Sequence, residues 1–128
     1  WYGFDDGHYS GARIIEMLSK NEKSITEICN ELPMLFSTPE LNINVTDDNK
    51  FKIIKEFADN CRLEGEKNTI DGLRLDFEDG WGLIRASNTT PKLVLRFEGR
   101  SEEILNRIQN DFLNELTRIC PDIDINLS

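Results

Sequence analysis

The sequence of 128 residues has few of the residue types from which catalytic and metal sites are usually built. Its single histidine, His8, makes a Ser-His-Asp or Cys-His arrangement improbable. Its three cysteines, Cys29, Cys61 and Cys120, lie far apart in sequence and form no C-x-x-C pair. This spacing argues against a zinc site or a disulfide framework and favours a reducing, cytoplasmic compartment. No EF-hand, P-loop or dinucleotide-binding pattern occurs.

Long apolar segments are also missing. No run approaches the roughly 18 residues that indicate a membrane span, and the N-terminus lacks the basic and apolar regions of a signal peptide. We therefore expect no membrane partner. The chain begins without an initiator Met, so we expect it to have been cut from a longer protein. Its hydrophobic fraction of 38% and charged fraction of 30% are typical of one globular domain, with room for an appendage.

Positive charge is scarce overall but concentrated in one segment. The net charge of −9 argues against a nucleic-acid partner, because a phosphate backbone needs a basic binding surface. Between residues 81 and 100, however, there are four basic residues and one acidic residue, which gives a local charge of +3. Such an island in an acidic chain favours a small anionic ligand, although basic residues on a half-solvated strand would give the same pattern.

Residues 1 to 36 contain two short predicted helices and no strand. Apolar residues at helical spacing predict the first helix over residues 8 to 18. The sequence from Ser24 to Glu27 forms a capping box that begins the second helix, which should run to about Leu32 before Pro33 stops it. Without a sheet of their own, these helices are interpreted as the edge of a preceding domain followed by a linker.

In residues 37 to 128, the spacing of apolar residues is that of strands in some segments and that of helices in others. Apolar residues alternate in three segments, and a Glu-Asp-Gly turn predicts a hairpin into a fourth. The predicted strands are centred on Leu41–Val45, Leu73–Phe77, Trp81–Arg85 and Leu93–Phe97, with Ile123–Ile125 as a further candidate. Two helices are predicted, with N-caps at Thr46 and Ser101, and the first has an apolar face from Phe51 to Cys61. This order indicates an α+β fold, an antiparallel sheet with helices on one face.

The strongest candidate for chemistry is the segment RASNTTP, from Arg85 to Pro91, which joins two predicted strands. It offers a guanidinium, three hydroxyls, an amide and loop N–H groups. A phosphate dianion needs several converging donors, of which arginine supplies two in a fixed fork. An ordinary solvated turn rich in Ser, Asn and Thr would have the same composition, so the segment alone leaves both interpretations open.

Three segments resemble the α-D-phosphohexomutase superfamily, in its phosphomannomutase/phosphoglucomutase branch. The run DGLRLDFEDGWGLIRASNTTPKLVLRFEG, from Asp71 to Gly99, is similar to the last domain of these enzymes. The run WYGFDDG, from Trp1 to Gly7, resembles the segment after the sugar-recognition loop of their third domain. The run STPELNI, from Ser37 to Ile43, resembles the entry into their fourth domain. The resemblance thus extends over the whole chain in the right order.

This resemblance implies that residues 1–36 are the end of the third mutase domain plus a linker. Residues 37–128 would be the C-terminal phosphate-binding domain, with a TATA-binding-protein-like fold. The parent would be an isomerase that interconverts the 1- and 6-phosphates of glucose or mannose by intramolecular phosphoryl transfer. A phosphoserine would donate to the sugar, a Mg²⁺ on an Asp-rich loop would neutralise charge, and the other mutase domains would pack on this one.

The resemblance also assigns site residues. The substrate phosphate would be held by four residues of the loop segment, namely Arg85, Ser87, Asn88 and Thr89. The catalytic serine and the Asp-rich metal loop have no counterpart in this chain, so we expect no catalytic or metal-binding residue and no cofactor here, and the fragment alone should be inactive.

Two alternatives remain at this point. The first is the corresponding domain of a phosphoglucosamine or acetylglucosamine-phosphate mutase, although those enzymes typically have a Ser-Gly-Thr version of the loop where this chain has Asn88 and Thr90. The second is a stand-alone, non-catalytic module of the same fold.

Overall fold

The structure, a computed structural model, describes residue 3 and residues 5–127. Trp1, Tyr2 and Phe4, which belong to the N-terminal run compared with the mutases above, and Ser128 lie outside the described residues. The chain divides into two compact units, residues 1–34 and residues 35–128.

The first unit consists of two helices, α1 (Gly7–Ser19) and α2 (Ile25–Asn30). Asp6 caps α1 by accepting a hydrogen bond from the Tyr9 backbone N–H at 2.9 Å. The predicted capping box is confirmed, since Ser24 and Glu27 exchange both of its bonds. The second helix is shorter than predicted and ends at Asn30 rather than near Leu32. Neither helix has a buried residue.

The second unit consists of six strands and two helices. In chain order they are β1 (Phe36–Ser37), β2 (Leu41–Asn44), α3 (Asp47–Asn60), β3 (Glu66–Asn68), β4 (Leu73–Phe77), β5 (Gly80–Ala86), β6 (Lys92–Gly99) and α4 (Glu102–Ile119).

All strand pairs are antiparallel, and the order in the sheet is β1-β6-β5-β4-β3, with β2 also paired to β6. The predicted α+β class, an antiparallel sheet with helices on one face, is confirmed. Two short strands, β1 and β3, were not predicted, and β1 begins at Phe36, the last residue that the sequence assigned to the linker. The predicted strand at Ile123–Ile125 is wrong, because those residues lie in an irregular tail.

The core lies between the sheet and the two helices. Alternate residues of the strands face inward, and both helices contribute apolar residues to the same cluster. The fully buried members are Ile43, Phe57, Leu73, Leu75, Ile84, Leu93, Leu95, Phe97, Ile108, Phe112 and Leu116. Phe112 of α4 contacts three other aromatic rings, with centroids 5.4 to 6.5 Å apart. We call the helix-covered side of the sheet its inner face and the opposite side its outer face.

Two predictions about α3 are wrong in detail. Thr46 occupies the N-cap position, but its side chain makes no capping hydrogen bond. Phe51, predicted to belong to the apolar face, is 57% exposed. The buried residues of this helix are Lys50, Ile54 and Phe57, so the buried side begins with a lysine rather than with the phenylalanine next to it.

The helices of the described residues include none long and apolar enough to cross a bilayer.

Candidate functional site

The loop predicted to bind an anion connects β5 to β6. The last paired residues of this hairpin are Ala86 and Leu93. One further bond extends the pairing, from the Ser87 backbone N–H to the Lys92 carbonyl at 2.9 Å. The Lys92 N–H in turn donates to the Thr90 carbonyl at 2.8 Å. Residues 88–91 are therefore held in a tight turn at the end of a well-packed hairpin.

Ser87 organises this turn from inside. The residue is 8% exposed, and its hydroxyl oxygen accepts hydrogen bonds from the Thr90 hydroxyl at 2.8 Å, the Thr90 N–H at 3.2 Å and the Thr89 N–H at 3.4 Å. Two of the loop amides are thus engaged within the loop.

Asn88 and Thr89, the other two predicted loop residues, are exposed at the tip of the turn. Arg85 lies just before the loop, on the outer face, because its neighbours Ile84 and Ala86 point into the core. The four predicted residues therefore occupy one end of the β5–β6 hairpin: one arginine on the sheet, one buried serine, and two exposed polar side chains.

Among the described residues, the ionic partner of the Arg85 guanidinium is Asp71, and the pair is loose. Arg85 Nη1 lies 3.7 Å from Asp71 Oδ2, and the arginine side chain remains 31% exposed. That distance is well beyond the 2.7–2.9 Å or so of a charge-assisted hydrogen bond. Arg85 and Asp71 line an outer-face cavity of about 350 Å³ together with Asn68, Arg74 and Leu83 of the sheet and Ile70 of the β3–β4 connection.

Gly72 fixes how closely this connection approaches Arg85. Its φ is +81°, a conformation that favours glycine. A Cβ at this position would lie 2.2 Å from the Ile84 carbonyl oxygen and 2.7 Å from Arg85 Cα. The Asp71-Gly72 pair is a turn signal in the sequence, and it could have indicated a close backbone approach, but not to which strand.

Arg74, the other arginine of the cavity, is by contrast tightly held. Its Nε donates to both Asp76 carboxylate oxygens, at 2.9 and 3.1 Å, and the guanidinium lies 4.2 Å from the centroid of the Trp81 ring. The hydrogen bond to Asp76 raises the pKa of Arg74, and the same bond lowers the pKa of Asp76. Arg74 is therefore held on the sheet surface by Asp76 and Trp81, whereas the contact of Arg85 with Asp71 is too long for a hydrogen bond.

Lys50 is a site residue that sequence reasoning missed. It is 4% exposed, and its Nζ donates to the Thr90 carbonyl at 3.2 Å. The same ammonium pairs with Asp47 Oδ1 at 2.8 Å. A lysine in the polar first turn of a helix is normally expected to be solvated, so no signal in the sequence indicated that it would reach the loop.

The described residues contain no group of three or more His, Cys, Asp or Glu side chains that could hold a metal ion. A divalent cation such as Mg²⁺ prefers several oxygen ligands. The acidic residue of the cavity, Asp71, faces Arg85 instead of a second carboxylate. The donor set of this site consists of cations, hydroxyls and an amide, which suits an anion.

The chemistry of Arg85 and of the loop side chains suits a dianion, although the cavity beside Arg85 is lined by the sheet and the β3–β4 connection and not by the loop. A guanidinium can donate two parallel hydrogen bonds to two oxygens of one phosphate, and hydroxyl and amide groups can each donate one more. Arg85 belongs to a central strand paired on both sides, and the loop is ordered by Ser87. The donors are therefore largely positioned before a ligand arrives, which lowers the entropic cost of binding.

Comparison with known proteins shows which family the chain is similar to. A family model described as "Phosphoglucomutase/phosphomannomutase, C-terminal domain" matches residues 40–115. A phosphomannomutase/phosphoglucomutase of Pseudomonas putida is 51% identical over 127 residues, covering 98% of this chain and 27% of that protein. A phosphoglucomutase of Neisseria meningitidis serogroup B is 53% identical over 115 residues, covering 88% of this chain and 25% of that protein.

A solved structure shows the same fold. The crystal structure of a phosphoglucomutase/phosphomannomutase family protein from Burkholderia thailandensis superposes with a TM-score of 0.80 at 45% identity, covering 99% of this chain and 26% of that one. The chain thus spans about a quarter of the length of the proteins it matches. On this evidence the chain belongs to the phosphoglucomutase/phosphomannomutase family and contains its C-terminal domain.

Proposed function

We propose that this chain is the substrate-phosphate-binding part of a phosphomannomutase/phosphoglucomutase, an isomerase that interconverts hexose 1-phosphate and 6-phosphate. Residues 1–36 are the end of the preceding mutase domain with its linker, and residues 37–128 form the C-terminal domain. The substrate is a phosphate of mannose or glucose, and the domain packs on the other mutase domains. Three free cysteines suit a cytoplasmic location.

The observation that carries this proposal is the loosely paired Arg85 beside a loop that Ser87 already orders. Arg85 provides the charge and the fork geometry, and Ser87, Asn88 and Thr89 provide further donors at the same end of the hairpin. One feature of the sequence agrees with an anionic ligand, namely the local charge of +3 between residues 81 and 100 of an acidic chain.

The domain grips one phosphate while the phosphoryl transfer takes place on residues of the other domains. Mg²⁺, which we propose for the whole mutase, neutralises charge at the transferring group when bound there. No set of ligands for it exists in the described part of this chain. The chemical contribution of this domain is therefore to hold and orient the phosphate that is not being transferred.

The first test replaces Arg85 in the full-length mutase. Losing a charged hydrogen-bond partner costs about 1.5–3 kcal/mol, so Arg85→Ala should lower kcat/KM by roughly one to two orders of magnitude at 1.4 kcal/mol per decade. Arg85→Lys should recover little of this loss, because an ammonium cannot form the two parallel bonds of the guanidinium. The melting temperature should change little, since the side chain lies outside the core.

Arg100→Ala is the matched control, because it removes the same charge from an exposed residue just beyond the opposite end of β6. It should retain wild-type kinetics. Wild-type kcat/KM in Arg85→Ala would eliminate the anchor role. A large fall in melting temperature in that variant would instead show that Arg85 supports the fold.

A second test concerns the chain alone. Because the proposed phosphoryl donor and metal site lie outside it, a coupled assay with glucose 1-phosphate and its bisphosphate should give only background turnover. Turnover that persists through further purification and follows the concentration of this chain would contradict the proposal that the phosphoryl donor and the metal site lie outside it.

A further inference from the structure

Lys50 is one of two buried polar or charged residues in the described part of the chain, and the other is Ser87 of the loop. Burying an ammonium group is costly unless it is paired and hydrogen-bonded. Here Nζ meets Asp47 Oδ1 at 2.8 Å and the Thr90 carbonyl oxygen at 3.2 Å, and it lies 5.2 Å from the centroid of the Phe51 ring. The contacts that compensate its burial thus include the backbone of the loop.

The Thr90 carbonyl is the point at which the loop closes. Its oxygen accepts the Lys92 N–H at 2.8 Å from within the loop and the Lys50 ammonium from α3. Both lone pairs of this oxygen are therefore used. The next carbonyl, that of Pro91, accepts the Val45 N–H at 3.0 Å from the connection between β2 and α3. Two successive carbonyls of the loop are tied to the segment where α3 begins.

We propose that Lys50 is a positioning residue for phosphate binding. Its hydrogen bond from α3 to the Thr90 carbonyl fixes the backbone of residues 88–90, so that Asn88 and Thr89 present their side chains in one arrangement. This inference rests on the function proposed above for the loop. Lys50 acts through the Thr90 carbonyl and does not itself contact the ligand. Ser87 orders the loop from within, and Lys50 anchors it to a second element of the core.

The variant that isolates this role is Lys50→Met, which keeps an unbranched stem and removes the ammonium. Its ionic partner Asp47 is 69% exposed and stays solvated without the ammonium, so no unpaired charge is left buried and the urea midpoint should fall by no more than the loss of one hydrogen bond requires. Hydrogen exchange at the Lys92 amide should nevertheless accelerate, and the Thr90 carbonyl ¹³C resonance should shift. Titration of the chain with inorganic phosphate should give a Kd raised about three- to tenfold, the ratio that corresponds to one lost hydrogen bond.

Two further variants complete the experiment. Lys50→Arg keeps a cationic donor and should restore most of the loop protection. Lys55→Met makes the same substitution at an exposed position of the same helix and should match the wild type in every measurement. Wild-type exchange at Lys92 and an unchanged Kd in Lys50→Met would overturn the inference.

A measurement on the unaltered chain covers the case in which Lys50→Met does not fold. A scalar coupling across the hydrogen bond, between Lys50 Nζ and the Thr90 carbonyl carbon, should be detectable by NMR, and its absence would count against the inference. The exchange and coupling measurements need no ligand. If Arg85→Ala binds phosphate as tightly as the wild type, the proposed function fails, whereas the loop measurements still decide the role of Lys50.

Discussion

The hydroxyl of Ser87 orders the loop between β5 and β6 and is also part of the proposed phosphate site. Its oxygen lies within hydrogen-bonding distance of the backbone N–H groups of Thr89 and Thr90 and of the Thr90 hydroxyl. These donors sit in partly buried surroundings, where an unpaired polar group is costly. The residue therefore has a structural task that is independent of any ligand, and this distinguishes it from Asn88, whose side chain is exposed at the tip.

Ser87→Ala should consequently affect stability and binding together. We expect a loss of about 1–2 kcal/mol in the free energy of unfolding, since the loop N–H groups lose their acceptor, together with weaker phosphate binding. Asn88→Ala should weaken binding alone. Urea unfolding and phosphate titration of both variants check this. Equal unfolding midpoints for Ser87→Ala and the wild type would show that water replaces the hydroxyl at no cost.

At the level of single residues, the sequence pointed to the candidate loop but not to its supports. The segment from Arg85 to Pro91 stood out because a donor-rich run between two predicted strands is visible locally, and the family resemblance selected Arg85, Ser87, Asn88 and Thr89 within it. The burial of Lys50 was not, because it depends on a carbonyl 40 positions along the chain. Asp71, which faces Arg85, was likewise assigned no role, since only the register of β4 and β5 brings the two together.

The packing of α4 on the sheet depends on a residue that lacks a side chain. Gly82 of β5 lies directly beneath Phe112, and a Cβ there would come within 2.4 Å of the ring atom Cε2. Phe112 cannot easily move away, because the rings of Phe57, Phe77 and Phe97 surround it. Helix and strand therefore approach more closely at this point than a larger residue would allow.

Gly82→Ala should therefore destabilise the second unit by about 1–3 kcal/mol, the usual cost of overpacking a core. Gly11→Ala is the informative control, because a Cβ at Gly11 meets nothing within 4 Å and alanine favours a helix interior. It should raise the helical circular-dichroism signal slightly without lowering the urea midpoint. A Gly82→Ala variant as stable as the wild type would mean that α4 can shift on the sheet.

Among the elements of the second unit, those that bury alternate or helically spaced apolar residues were predictable and the rest were not. The strands β2, β4, β5 and β6 have such a pattern. In contrast, β3 is the sequence Glu66-Lys67-Asn68, with all three residues exposed. It forms because β4 offers unpaired backbone groups along its edge, and that cause lies in another part of the chain.

At the scale of the whole molecule, the two units differ in what stabilises them. The core cluster consists of residues from position 41 onward. Helix α1 has no buried residue, and Ile14, Ile15 and Met17 remain largely exposed. Most helical stability in proteins comes from packing an apolar face, and isolated helices of this length are marginal in water. The cap at Asp6 and the surface pairs of Glu16 with Arg13 and Lys20 are small contributions by comparison.

Hydrogen exchange should therefore separate the units. In the monomeric chain we expect peptides from α1 to exchange far faster than peptides from α4, whose Ile108, Phe112 and Leu116 are buried. Opening α1 exposes little apolar surface, whereas opening α4 disrupts the core and costs close to the full free energy of unfolding. Mass-spectrometric exchange, with the oligomeric state checked by light scattering, provides the measurement. Equal protection of both helices in a monomer would show that α1 belongs to the same cooperative unit as the sheet, and the domain boundary proposed near residue 36 would then have to move.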